Sequence, residues 1–99
     1  MRIGLWQKES AKGNIYLGGA DKDNNIRYMV FKDTKTEGVR RLVKKPLDDN
    51  DAPLEDVATL TRFEKDGTPF FKGDGYAIFT NSFYEEGSNQ PNFNLVIGE

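Results

Sequence analysis

Tyr28-Met29-Val30-Phe31-Lys32-Asp33 reads as a β-strand running into a turn. Aromatic and β-branched residues favour a pleated, half-buried surface, and the closing Asp favours a turn. The same form returns as Tyr76-Ala77-Ile78-Phe79-Thr80-Asn81: a Tyr, a small or flexible residue, a β-branched residue, a Phe, a polar residue, then Asn in place of Asp. Working outward, Leu5, Glu9, Ile15-Tyr16 and Gly18 line up with Leu60, Glu64, Phe70-Phe71 and Gly73 at a constant offset of 55, as in 5 to 60. The Tyr and Phe pairs match at 48, as in 28 to 76, and Pro53, Asp56 and Val57 match Pro91, Asn94 and Leu95 at 38, as in 53 to 91. One expectation is an internal duplication whose second copy has lost turn residues. The competing one is that hairpins of similar size draw on similar residues.

The chain of 99 residues sets the scale of the rest. One domain of this length, spanning residues 1–99, buries roughly two-thirds of the surface its unfolded chain exposes, enough for one core. Hydrophobic residues make up 36% and charged residues 30%, a polar balance, while 12% aromatic residues argue against disorder. There is no Cys and no His, which excludes disulfides, Cys-based zinc sites and any Ser-His-Asp or Cys-His arrangement. No apolar run has the length of a membrane span. Met1-Arg2-Ile3-Gly4-Leu5-Trp6 enters a strand pattern at once, without the look of a signal peptide. A soluble cytoplasmic protein is expected, and whether it is a monomer or a homodimer stays open.

Strands are expected over Ile3–Lys8, Asn14–Gly18, Ile26–Lys32, Val57–Glu64, Thr68–Lys72, Tyr76–Asn81 and Phe93–Ile97. Gly13-Asn14, Asp21–Asn25, Asp66-Gly67 and Gly73-Asp74-Gly75 supply the turns. In the third strand Ile26, Tyr28 and Val30 share one face and Arg27, Met29 and Phe31 the other, so both sides are expected to be covered. Residues 33–56 form an irregular charged segment, within which Val39–Val43 fits a short helix or a short strand. Seven short antiparallel strands make the chain all-β, as a small OB-like barrel or a two-sheet sandwich.

Chemistry is sparse. Asp21-x-Asp23-x-Asn25 begins like a calcium loop, but Ile26 stands where that loop needs Gly and Lys32 where it needs Glu, so a turn is expected. None of the carboxylates is singled out as a catalytic pair, and no Gly-rich phosphate loop sits between a strand and a helix. A non-enzymatic protein with no metal and no cofactor is expected.

Proteins that hold single-stranded nucleic acid combine a positive groove with aromatic faces on which bases stack. Trp6, Tyr16 and Phe71 fall opposite the faces assigned to the core, and Phe83-Tyr84 lies in a polar loop. Arg40, Arg41, Lys44 and Lys45 form a basic group, helped by Lys32, Lys35 and Arg27. These residues are the candidate site, with single-stranded nucleic acid as partner. The bland reading is that most rings fill the core, each burying about 150–250 Å², and that the charges are a solvated face. The alternative partner is a host protein, met through an acidic loop formed by Asp48, Asp49, Asp51, Glu55 and Asp56 or through an exposed edge strand.

Ile3-Gly4-Leu5-Trp6-Gln7-Lys8-Glu9-Ser10, with Gly13 and Tyr16-Leu17-Gly18, resembles the opening of a group of small uncharacterised phage and bacterial β-rich proteins. That group has a Leu-Trp-x-Lys strand, a short basic turn and Tyr-Leu-x-Gly. Val30-Phe31-Lys32-Asp33 with Asn50-Asp51-Ala52-Pro53 is similar to the group's Val-Phe-Lys-Asn…Asn-x-x-Pro-Asp-Tyr pattern, departing from it at Leu54-Glu55. Ile78-Phe79-Thr80-Asn81 with Asn89-Gln90-Pro91-Asn92-Phe93 keeps the form more closely. The resemblance implies a phage or mobile-element setting and brings no catalytic residue with it.

Overall fold

Alternating apolar residues on every strand need a shared interior, and here the sheet supplies it by curling onto itself. The computed structural model describes residues 2–33, 35–49, 51–81 and 89–98. It is all-β: β1 (Arg2–Glu9), β2 (Ile15–Asp21), β3 (Ile26–Lys32), β4 (Val39–Pro46), β5 (Glu55–Lys65), β6 (Thr68–Gly73), β7 (Tyr76–Thr80) and β8 (Phe93–Ile97). Each strand pairs antiparallel with the next, and β8 returns to β1 through Arg2↔Val96 and Leu5↔Phe93, closing an eight-stranded up-and-down barrel. Neither the OB-like Greek-key order nor the two-sheet sandwich is formed. Among the described residues no helix is long and apolar enough to cross a membrane.

The eighth strand is β4, inside the segment read as irregular over 33–56. Its alternation was hidden because both faces carry charge: Arg40, Leu42 and Lys44 alternate with Arg41, Val43 and Lys45. Pairing with β3 over its whole length imposes the extended conformation that local pattern left undecided. Between β4 and β5 the register shifts at Leu42/Val43, where Leu42 pairs with Ala58 and Val43 with Asp56. Val57 is the extra residue of that bulge, which lets the barrel bend there.

The interior is a stack of aliphatic side chains. Leu5, Leu42, Leu60, Ile78 and Leu95 are fully buried, with Ile3, Tyr28, Val30 and Ala58 around them. Each large aliphatic chain so removed from water contributes about 1.5–3 kcal/mol before the cost of ordering it. The second face of β3 is less covered than its sequence suggests: Met29 and Phe31 lie half-buried on the outside of the barrel.

Two glycines permit the closure. A Cβ on Gly19 would fall on the Gly4 carbonyl oxygen and 3.0 Å from Leu5 Cδ2, and a Cβ on Gly73 would fall on the Thr59 carbonyl oxygen and 3.4 Å from Leu60 Cα. Both glycines face inward where neighbouring backbones pass closest, a place only Gly can fill. Each pairs with a tyrosine on the following strand, Gly19 with Tyr28 and Gly73 with Tyr76, whose ring can cover the space the glycine leaves. The halves β1–β4 and β5–β8 therefore repeat one device at equivalent points. The match differs by one residue from that read in the sequence. Gly19 and Leu17, not Gly18 and Tyr16, occupy the inward positions equivalent to Gly73 and Phe71.

At the end of the barrel holding these tyrosines, Asp21 is buried and closes the β2–β3 turn. Its carboxylate accepts hydrogen bonds from the Asn24 amide (3.3 Å) and from Asn24 Nδ2 (2.7 Å). Asn25 takes φ 56° in the same turn, a left-handed conformation that Asn tolerates. Burial first, then the neighbouring Tyr76 and Asp21, raise the Tyr28 phenol above its ordinary pKa.

Two predictions follow from closure and burial. Gly19→Ala should destabilise the fold by about 3 kcal/mol, while the adjacent Gly18→Ala, whose Cβ would meet only the flexible Lys8 chain at 3.4 Å, should cost far less. Urea titrations of the two variants check this, and equal losses would contradict it. The raised phenol means that the folded chain holds that proton more tightly than the unfolded chain. This stabilisation is full below about pH 10 and is lost as pH rises through the Tyr28 value. Thermal melts from about pH 9 to 11 should therefore fall less steeply for Tyr28→Phe than for the parent chain.

Candidate nucleic-acid interface

Strand alternation decides which basic residues and rings can meet. On β1, burial of Ile3 and Leu5 sends Gly4, Trp6 and Lys8 outward. On β2, Leu17 packs on the core, so Tyr16 and Gly18 take the outer positions. On β3, inward Tyr28 and Val30 leave Arg27, Met29 and Phe31 outside. On β4, inward Leu42 leaves Arg41 and Lys45 outside.

Register then sets these residues side by side. Lys8 is opposite Tyr16, and Phe31 is opposite Arg41. The Tyr16 and Phe31 rings, on adjacent strands, stack with centroids 5.4 Å apart and planes 26° apart. A row Lys8–Tyr16–Phe31–Arg41 thus crosses four strands. Next to it Trp6 lies opposite Gly18, Gly18 opposite Met29, and Arg27 opposite Lys45. Gly18 and Ala20 keep the floor low, and a shallow cavity of about 160 Å³ runs between Trp6, Lys8, Tyr16, Arg27 and Met29.

Trp6 is 40% exposed but held in place. Its Nε1 donates to the Asn89 carbonyl at 3.0 Å. The Gly4 position beside it is so close to Pro91 that a Cβ there would lie 2.9 Å from Pro91 Cγ and 3.3 Å from the indole. The segment carrying Pro91 is itself tied down. Asn81 Nδ2 donates to the Pro91 carbonyl at 2.8 Å, and the Gln7 amide donates to Asn92 Oδ1 at 2.9 Å. The Asn81…Pro91-Asn92 pattern of the sequence is therefore a clamp that orients the tryptophan.

Of the seven residues expected to form the site, the outer face brings together Trp6, Tyr16, Arg41 and Lys45. Phe71, Arg40 and Lys44 belong elsewhere. Phe71 pairs with Ile78 and Arg62 and packs against the core, so its neighbour Phe70 is the outward ring. Arg40 follows the inward parity, with its guanidinium 4.7 Å from the centre of the Phe71 ring. Lys44 lies opposite the inward Tyr28. Of the helpers, Arg27 joins the outer face, while Lys32 and Lys35 border a groove with Arg40 and Arg62. Phe83 and Tyr84 lie outside the described residues.

Two features were missed in the sequence. Phe31 and Lys8 belong to the outer row, and Phe31 had already been placed with Arg27 and Met29 by the alternation of β3. The second is a ladder on the opposite side of the barrel. Phe63, Phe70 and Phe79 stack at 5.7 and 5.6 Å, with Phe63 49% and Phe79 39% exposed. Its signal, three Phe at outward positions of consecutive strands, needed the register to be read.

Electrostatics favours the β1–β4 face for an anionic strand. The acidic residue reaching it from β5 is Asp56, whose Oδ1 accepts from Arg41 Nη2 at 2.7 Å, an exposed pair worth under about 1 kcal/mol. The acidic loop is partly engaged internally: Asp48 accepts from Asn25 Nδ2, and Asp49 accepts from the Asp51 amide. None of the eight described strands is an open edge, so a partner strand has no unpaired neighbour there to join.

Compared with known proteins, the chain matches no family model, no curated protein and no solved structure.

Gly4→Ala should push Pro91 and the indole apart. The expected result is a shift of Trp6 fluorescence to longer wavelength with a stability loss of about 1–3 kcal/mol. Unchanged emission would mean that Pro91 does not hold the ring.

Proposed function

We propose that this barrel binds single-stranded nucleic acid across the outer face of β1–β4. The observation that carries the reading is the row Lys8–Tyr16–Phe31–Arg41 beside the clamped, exposed Trp6. Bases stack on aromatic rings with about 1–3 kcal/mol each, whatever their identity, and neighbouring cations meet the phosphates. Trp6 and Tyr16 are the stacking residues, with Phe31 supporting Tyr16. Lys8, Arg27, Arg41 and Lys45 flank them as phosphate contacts. A net charge of −2 does not oppose this, because Lys8, Arg27, Arg41 and Lys45 share one face and local distribution matters more than the sum. The role we propose is that of a non-catalytic accessory in DNA metabolism, and the resemblance of the opening motif to phage and bacterial proteins supports only a phage or mobile-element setting for it.

The test is titration of the protein with a short oligonucleotide. Trp6 fluorescence should be quenched, and affinity should fall with salt, by a slope of about 0.7 for each phosphate neutralised. Asp56→Asn, which frees Arg41 from its carboxylate, should tighten binding a few-fold, and Arg41→Ala should weaken it and flatten the salt slope. Absence of binding to any oligonucleotide at low salt would refute the proposal.

A further inference from the structure

Strand parity also gathers cations where no nucleic-acid contact has been assigned. Lys32, Arg40 and Arg62 are the inward-parity residues next to Val30, Leu42 and Leu60 on β3, β4 and β5, on the side away from Tyr28. They share the lining of an open groove with Lys35 and with the acidic Asp33 and Glu37, so the cations outnumber the carboxylates there. Among the described residues none of the three has a carboxylate partner in an ion pair. Arg40 lies with its guanidinium over Phe71 and donates Nη1 to its neighbour's Val39 carbonyl at 3.2 Å. Burial, and then Arg62, lower the Arg40 pKa from its ordinary value, so the cation is held where its charge is unfavourable.

At this end the barrel is open rather than filled. A cavity of about 290 Å³ enters between Leu17, Val30, Phe71 and Phe93, with Gln7, Ile15, Tyr16, Lys32 and Arg40 at its edge. That is close to the lower limit of pockets that hold small molecules, at about 300 Å³. Below it the fully buried layer of Leu5, Leu42, Leu60, Ile78 and Leu95 blocks any deeper passage. An apolar floor, a closed bottom and unpaired cations at the lip define a ligand with a compact apolar body and one anionic end.

We propose that the barrel mouth binds a small amphiphilic carboxylate, its apolar part against Leu17, Val30, Phe71 and Phe93 and its carboxylate between Arg40, Lys32 and Arg62. Arg suits this role because its planar fork matches a carboxylate, and its contact with the Phe71 ring holds it at the mouth in advance. Tyr16 borders this cavity as well as the outer face, but the cations of the two sites are different residues, Lys32, Arg40 and Arg62 here and Lys8, Arg27, Arg41 and Lys45 there.

Octanoate is the probe, with 1-octanol and octylamine as matched controls, followed by calorimetry and by the methyl resonances of Leu17 and Val30. Octanoate should bind saturably and move those methyl signals. 1-Octanol should bind at least about tenfold more weakly, and octylamine more weakly still. Arg40→Gln, and separately the exposed pair Lys32→Gln with Arg62→Gln, should each weaken octanoate about tenfold while melting as the parent chain does. Equal binding of 1-octanol, unchanged affinity in both folded variants, or inorganic phosphate binding as tightly as octanoate would overturn the proposal. A chain that takes up octanoate but no oligonucleotide loses only the outer-face function, and the reverse result removes only the mouth site.

Discussion

Closure of the sheet depends on two points where backbone passes backbone with no room for a side chain. Gly19 against the Gly4 carbonyl and Gly73 against the Thr59 carbonyl let the strands coil tightly enough for β8 to meet β1. Without that coil, eight strands this short would form an open, twisted sheet with two unpaired edges. Tyr28 and Tyr76, each paired with one of these glycines, lie at the same end of the barrel. The constraint is met twice by the same pair of residue types, half a barrel apart.

Once the barrel is closed, parity sorts every polar residue into one of two compartments. The basic run of β4 shows the result most clearly. Arg41 and Lys45 face outward among Tyr16, Phe31 and Arg27, while Arg40 turns in over Phe71. One contiguous run of charge thus serves two surfaces, and Tyr16 borders both. The rings divide in the same way. Phe70 joins the outer ladder and Phe71 the mouth, although they are neighbours in the chain.

Much of the fold was legible because Tyr28–Asp33 and Tyr76–Asn81 carry clear strand and turn chemistry. The class and seven of the strand positions follow from such local patterns. The eighth strand did not, because β4 places charge on both faces and only pairing with β3 and β5 holds it extended. The barrel order was hidden for a related reason: closure is fixed by glycines whose role is visible only when the opposing carbonyl is in place. At the outer face, Trp6 and Tyr16 could be found because their strands alternate cleanly. Phe70-Phe71 could not be resolved, since two adjacent rings fit either parity equally well. The Gly18 and Gly19 pair posed the same problem, and it displaced the internal match by one residue.

The seam between β1 and β8 joins the first described strand to the last, through contacts such as Ile3↔Leu95. The cylinder therefore cannot be sealed until β8 has left the ribosome. Until then β1 and β7 each present a bare row of amide and carbonyl groups to whatever is nearby. A nascent chain carries an incomplete ribbon until β8 emerges, and that strand acts as the clasp that ends the risk of mispairing.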